Sequence, residues 1–184
     1  MNSKQDIERL IVYSFMNCSD KKLMGKCSNI LTHKAFSDKY QWMYKGAVKV
    51  IEKHGNSNLM LMLDYYKDIP KDKWMKVNIE LVGMDSFYHS DKNLEFWCFI
   101  LMQEFFKEEF ESILVENCNG TNILSCHIVN EIREYEKSEK DIFNKIYGIT
   151  TYLDQNYPNE PITTTIQAFK SKIDTHISKI KKVA

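Results

Sequence analysis

The feature that most constrains this chain is how seldom its helical patterning is interrupted: 184 residues carry only three prolines and six glycines. So few breakers leave no room for the closely spaced turns of a sandwich or barrel, and they favour long helices. The apolar spacing agrees. Ile7, Leu10, Ile11 and Phe15 fall on one stripe of a helix over residues 4–17, with Lys4, Asp6, Glu8 and Arg9 facing away. A second helix carries Leu23, Met24, Cys27, Ile30 and Leu31, with Ser19 or Asp20 as its cap, and ends near Thr32 and His33. A third, over 37–54, steps through Tyr40, Met43, Tyr44, Ala47, Val48 and Ile51 and stops at Gly55. Two shorter helices follow. One spans 59–67 with Leu59, Met62, Leu63 and Tyr66; the other spans 71–82 with Trp74, Val77, Ile79 and Leu81. A loop is expected over 83–90.

A long helix over 91–118 begins with Leu94, Trp97, Cys98, Leu101 and Phe105 on one stripe. It then shifts to Phe106, Phe110, Ile113 and Leu114, as if its halves met different neighbours. Asn119-Gly120 reads as a turn into a return helix over 122–147 with Ile128, Ile132, Tyr135, Ile142 and Ile146. Residues 149–161, with Pro158 and Pro161, read as a linker. The last helix, within 162–184, presents Ile166, Phe169, Ile173, Ile177 and Ile180 on a face with no evident cover. The expectation is all-α: a small globule of about five helices, a protruding two-helix hairpin, and a C-terminal amphipathic linker helix.

Composition limits function. Twenty-five acidic and twenty-five basic residues cancel, which removes the global field that would draw the chain to nucleic acid or an anionic membrane. Only Arg9 and Arg133 could present a bidentate fork to guanine or phosphate. The lysines of the last helix, Lys170, Lys172, Lys179, Lys181 and Lys182, read as a solvated face, with local phosphate contact as the alternative. Residues 1–15 lack the basic start, apolar run and cleavage site of a signal peptide, and no run approaches a membrane span, so a cytoplasmic location is expected.

The residues of chemistry do not assemble into a known motif. No glycine-rich phosphate loop, nucleophile elbow, paired-histidine zinc helix or dinucleotide fingerprint is present. Glu104, Glu108, Glu109 and Glu111 crowd one helix among lysines and read as a solvated face. His33, His54, His89 and His176 sit at helix ends, loops or exposed positions. Cys18, Cys27, Cys98, Cys118 and Cys126 are an odd, widely spaced set that reads as core thiols. The nearest metal-like spacings are Cys18 and Cys27 with His33, and the pair Cys126 and His127. No catalytic residue, cofactor or metal is therefore expected. Phe96, Trp97, Phe99, Phe105 and Phe106 could line a pocket, but their helical spacing favours core packing.

Several short motifs, in order, resemble the N-terminal domain of DnaB-type replicative helicases. They are Glu8-Arg9-Leu10-Ile11 in the opening helix; Ala35-Phe36 and Tyr40-Gln41-Trp42-Met43-Tyr44; Gly55; and the run Asn58 to Leu63. Asn93, Trp97 and Ile100 follow at the start of the long helix, then Ile142 to Ile146 with Ile149-Thr150. Val12-Tyr13 stands where the family often has two glycines, and Asn58 where it has an acidic residue. The resemblance implies residues 1–118 as a helical domain that includes the first hairpin helix, 119–148 as the return helix, 149–161 as the linker, and 162–184 as a helix preceding a motor that this chain lacks.

It also implies a non-catalytic oligomerisation and protein-interaction domain: a collar that pairs with copies of itself as a dimer or ring and docks a primase or helicase loader, its last helix resting on a neighbouring motor domain. The alternative is a stand-alone accessory or regulatory protein, from a mobile element for instance, that binds a host helicase or primase through the same fold. Little or no direct nucleic-acid binding and no membrane are expected. The partner-binding residues expected on this reading are Phe106, Phe110, Ile113, Ile128 and Ile132 on the hairpin and Ile166, Phe169, Ile173 and Ile177 on the last helix. The other reading of the hairpin set is that it seals the hairpin to itself.

Overall fold

A computed structural model describes residues 3–17, 19–85, 93–118, 123–136 and 141–181. These residues form nine α-helices and one 3-10 turn, with no strand among them. The contacts divide the chain into two compact units, one built on Met1–Met102 and the other on Gln103–Lys182.

In the first unit, α1 (Lys4–Asn17) packs on α3 (Asp38–His54) and also meets α4 (Leu59–Tyr65) and α5 (Lys71–Asp85). Surrounded in this way, α1 buries more than its expected stripe. Val12 and Met16 join Ile7, Leu10, Ile11 and Phe15 in the core. Glu8, expected to face away, is also fully buried. Its two carboxylate oxygens accept from the Ser37 backbone N–H and the Ser37 hydroxyl, each at 2.7 Å. Ser37 is the N-cap residue of α3 and does not cap with its own side chain, so Glu8 supplies the anion that the free amides at a helix start favour. Helix α2 (Lys21–Ile30) is capped by Asp20, which accepts from the Lys22 and Leu23 amides at 2.9 and 3.1 Å. Asn58 caps α4 by accepting from the Leu61 amide at 2.9 Å. Gly55 ends α3 in the left-handed conformation, φ 80°. Cys27 and Cys98 are buried thiols, Cys98 pushed well above the ordinary thiol range by burial and by Cys27. The Cys18 side chain, the Cys118 side chain and His89 lie outside the described residues.

Gly46 marks the closest approach in this unit. The Tyr66 hydroxyl donates to the Trp42 carbonyl at 2.7 Å, and the two rings meet edge to face with centroids 5.2 Å apart. The phenol occupies the space a β-carbon at position 46 would need. Alanine in a helix ordinarily gains about 1 kcal/mol over glycine. Here the sign should reverse: Gly46→Ala is expected to destabilise by about 1–3 kcal/mol in urea titrations. Gly46→Ala combined with Tyr66→Leu should recover part of that loss.

The expected loop at 83–90 is corrected at its start, because α5 continues through Gly83 to Asp85; residues 86–90 lie outside the described part. Leu81 and Met84 are buried and reward the extra turn. Helix α6 (Leu94–Cys118) contributes to both units: Leu94, Cys98 and Leu101 to the first, Phe106, Phe110 and Leu114 to the second. The shift of its apolar stripe marks the boundary, which falls between Met102 and Gln103 and not at residue 118.

In the second unit the single return helix expected over 119–148 is two helices, α7 (Ile123–Glu136) and α8 (Ile142–Asn156). The Asn119-Gly120 turn and residues 137–140 lie outside the described part. Asp141 starts α8 by accepting from the Phe143 and Asn144 amides, both at 3.0 Å. The linker expected over 149–161 is corrected as well. Helix α8 runs through Gly148 to Asn156, since Ile142, Ile146, Ile149 and Leu153 keep one buried stripe whose burial outweighs the glycine. Four residues then lead to α9 (Pro161–Lys181), where Pro161 takes the first helical position, which suits its fixed φ.

Candidate functional site

The nine residues expected to bind partners are placed by this second unit. Phe106, Phe110, Ile128 and Ile132 are buried in its core, and Ile113 is half-buried. The Phe106 ring meets those of Phe143, Phe169 and His176 edge to face at 5.9, 6.2 and 5.4 Å, and Phe110 stacks on Phe169 at 6.1 Å. The last helix is corrected most. Ile166, Phe169 and Ile173 are covered, and Ile177 is half-buried. Helix α9 packs against α8, whose second half was expected to be linker, so its apolar face is spent within the chain. On the outer side Lys172 donates to both Glu109 oxygens at 2.6 and 2.7 Å.

Among the described residues, two features stand out as able to meet another molecule. The first is an apolar stripe on α5. Met75, Ile79 and Val82, spaced four and three apart and therefore on one face, are 64%, 67% and 49% exposed. Ile79 was expected on the inward side; Leu81 and Met84 take that side instead. Phe96 and Phe99, on the first turns of α6, are also exposed, so they line no interior pocket.

The second is a cleft of about 450 Å³ lined by His127, Asn130, Glu131, Glu134 and Tyr152. Positions 127, 130, 131 and 134 form one polar stripe of α7, opposite the buried Ile128, Val129 and Ile132. Glu131 is held from three sides. One oxygen accepts from the Tyr152 and Tyr157 hydroxyls at 2.9 and 2.8 Å, and the other lies 3.2 Å from His127 Nε2. These bonds, Tyr157 first, then Tyr152 and His127, hold the Glu131 carboxyl below its ordinary range. The same contact pushes Tyr157 up to about 12, and Tyr152 upward, because the carboxylate disfavours a phenolate beside it.

The signs give a pH prediction. Glu131 is depressed in the fold, so its contribution to stability is complete above the ordinary glutamate value and fades as pH falls through its lower folded value. Tyr157 is raised, so its contribution is complete below its unfolded value near 10 and is lost as pH rises from there through about 12. Absorbance titration of phenolate should show Tyr157 and Tyr152 ionise earlier in Glu131→Gln, advancing toward the ordinary phenol value near 10, while Tyr44 and Tyr66, raised by burial, do not move.

Cys126 and His127 are adjacent, but among the described residues no three His, Cys, Asp or Glu side chains converge as metal ligands. Among those residues no helix is long and apolar enough to cross a membrane. The tyrosine-held glutamate was missed in the sequence, where Glu131 carries no motif and Tyr157 sits in a stretch that reads as linker. Comparison with protein-family models, with curated proteins and with solved structures finds no match for this chain.

Proposed function

We propose that this chain is a non-catalytic oligomerisation and protein-interaction domain that pairs with a second copy of itself through α5. One observation carries the reading: a helix of fifteen residues that turns Leu81 and Met84 into the core while leaving Met75, Ile79 and Val82 to water on a single face. Exposed apolar side chains aligned along a helix gain by meeting another apolar surface, and a stripe on one helix can serve both members of a two-fold pair. The collinear motifs shared with replicative-helicase collars support the finer proposal that such pairing belongs to a DNA-replication assembly in which a primase or loader docks.

Sedimentation over a concentration series should show reversible self-association. Ile79→Asp should return the chain to monomer with its circular dichroism unchanged, since a substitution at so exposed a position costs about 0.5 kcal/mol or less of fold stability. A strict monomer at every concentration would remove the reading. Co-purification with a replicative helicase or primase tests the finer proposal separately.

A further inference from the structure

We propose that the outer face of α3, with the neighbouring Tyr65 ring of α4, binds single-stranded nucleic acid through phosphates and bases without regard to sequence. The charges that cancel over the whole chain are not spread evenly along it. From Lys21 to His54 the chain carries eight lysines and two acids, Asp38 and Glu52. Lys45, Lys49 and Lys53, four residues apart and all exposed, form one row on α3. At a rise of about 1.5 Å per residue the row is about 12 Å long, and Asp38 lies about two turns before it. Lys34, also exposed, lies with Lys45 within electrostatic reach of His33, whose pKa is lowered first by desolvation and then by these two ammonium groups. The other acids at hand are already engaged. Glu52 accepts from Lys49 at 3.0 Å, and Asp64, near enough to sense Lys53, accepts from Lys67 at 2.8 Å. Lys34, Lys45 and Lys53 enter no ion pair among the described residues.

Charge alone would suit any polyanion; the rings narrow the choice. Tyr65 is 46% exposed and lies within electrostatic reach of Lys49. Its ring meets that of Tyr66 edge to face at 4.8 Å, and Tyr66 in turn meets the half-buried Trp42 at 5.2 Å and donates to the Trp42 carbonyl. Holding the ring in place before any ligand arrives lowers the ordering cost of binding. An exposed aromatic face beside a row of ammonium groups is the combination that single strands use: phosphates meet the lysines, and an unpaired base stacks on the ring. A duplex keeps its bases stacked on one another and offers the ring none. Lysine has no bidentate fork for base edges, which leaves the surface blind to sequence. It draws on no residue of the α5 stripe.

Fluorescence anisotropy of a labelled oligothymidylate of about 15 nucleotides would be followed while the full chain is added at low salt. Saturable binding is expected, with a dissociation constant on the order of 10–100 µM. The logarithm of the binding constant should fall against the logarithm of salt concentration with a slope of about −2 to −3, the mark of three or four neutralised phosphates. Lys45→Gln/Lys49→Gln should weaken binding about tenfold and flatten that slope by about 1 to 1.5. Tyr65→Ala should weaken it about tenfold with the slope unchanged, since stacking releases no counterion. All three positions are exposed, so the circular dichroism of both variants should match the parent. No saturable binding up to about 1 mM chain, undiminished binding by either folded variant, equal or tighter binding of a duplex of the same length, or binding of phosphatidylserine vesicles in preference to the oligothymidylate would each overturn the proposal.

Discussion

Phe106→Ala is expected to lower the stability of the second unit by about 3–5 kcal/mol, the cost of truncating a fully enclosed aromatic and leaving a cavity behind. The ring is 2% exposed and lies among Phe143, Phe169 and His176, side chains from α8 and α9. No rearrangement of one helix alone can refill that space. Thermal melts of the free chain should move down by roughly 10 °C or more. Val115→Ala, two turns along the same helix but exposed, should stay within about 0.5 kcal/mol of the parent. The contrast discriminates between two roles for Phe106. A residue reserved for a partner would leave the free chain's melting unchanged and weaken assembly; one that closes the chain's own core does the reverse. Unchanged melting of Phe106→Ala would refute the packing described above.

Glu8→Ala is expected to cost about 2–3 kcal/mol, for a reason that has little to do with side-chain volume. The carboxylate is fully enclosed and accepts two bonds of 2.7 Å from Ser37, at the point where α3 begins. Removing it abolishes two charge-assisted bonds and the negative charge at a helix start together. Ser37→Ala removes only the hydroxyl bond and should cost about 1 kcal/mol. In a double-mutant cycle the pair should therefore be strongly non-additive. Hydrogen exchange offers a local readout, since the Ser37 amide should lose protection in Glu8→Ala before the rest of α3 does. A loss below about 0.5 kcal/mol would show that α3 starts equally well without this anion.

The two sites differ in how far they could be read from the linear chain. The helical stripes of α1 to α3 were legible because three- and four-residue spacing records burial directly, as Ile7, Leu10, Ile11 and Phe15 illustrate. Glu8 was not, because a charged residue on an amphipathic helix looks the same whether it meets water or the start of another helix. Its partner is 29 positions away. The Glu131 cluster was hidden for a similar reason, its tyrosines lying 21 and 26 residues along the chain. Helix α8 was obscured differently: Gly148, Pro158 and Pro161 signal interruption, yet only the last two bound the connection between helices.

Within the sequence itself lay the helical class, the caps at Asp20 and Gly55, and the change of partner along α6, because each depends on contacts spanning only a few residues. Spacing and capping are local physics. The tertiary structure alone decided which apolar faces remain for others. Ile166, Phe169 and Ile173 look unpartnered until α8 is known to be a helix that covers them, whereas Ile79 looks like core until Leu81 and Met84 take the inward side of α5. Whether a stripe is spent or offered depends on what lies opposite, and that is settled by packing between elements, not by periodicity within one.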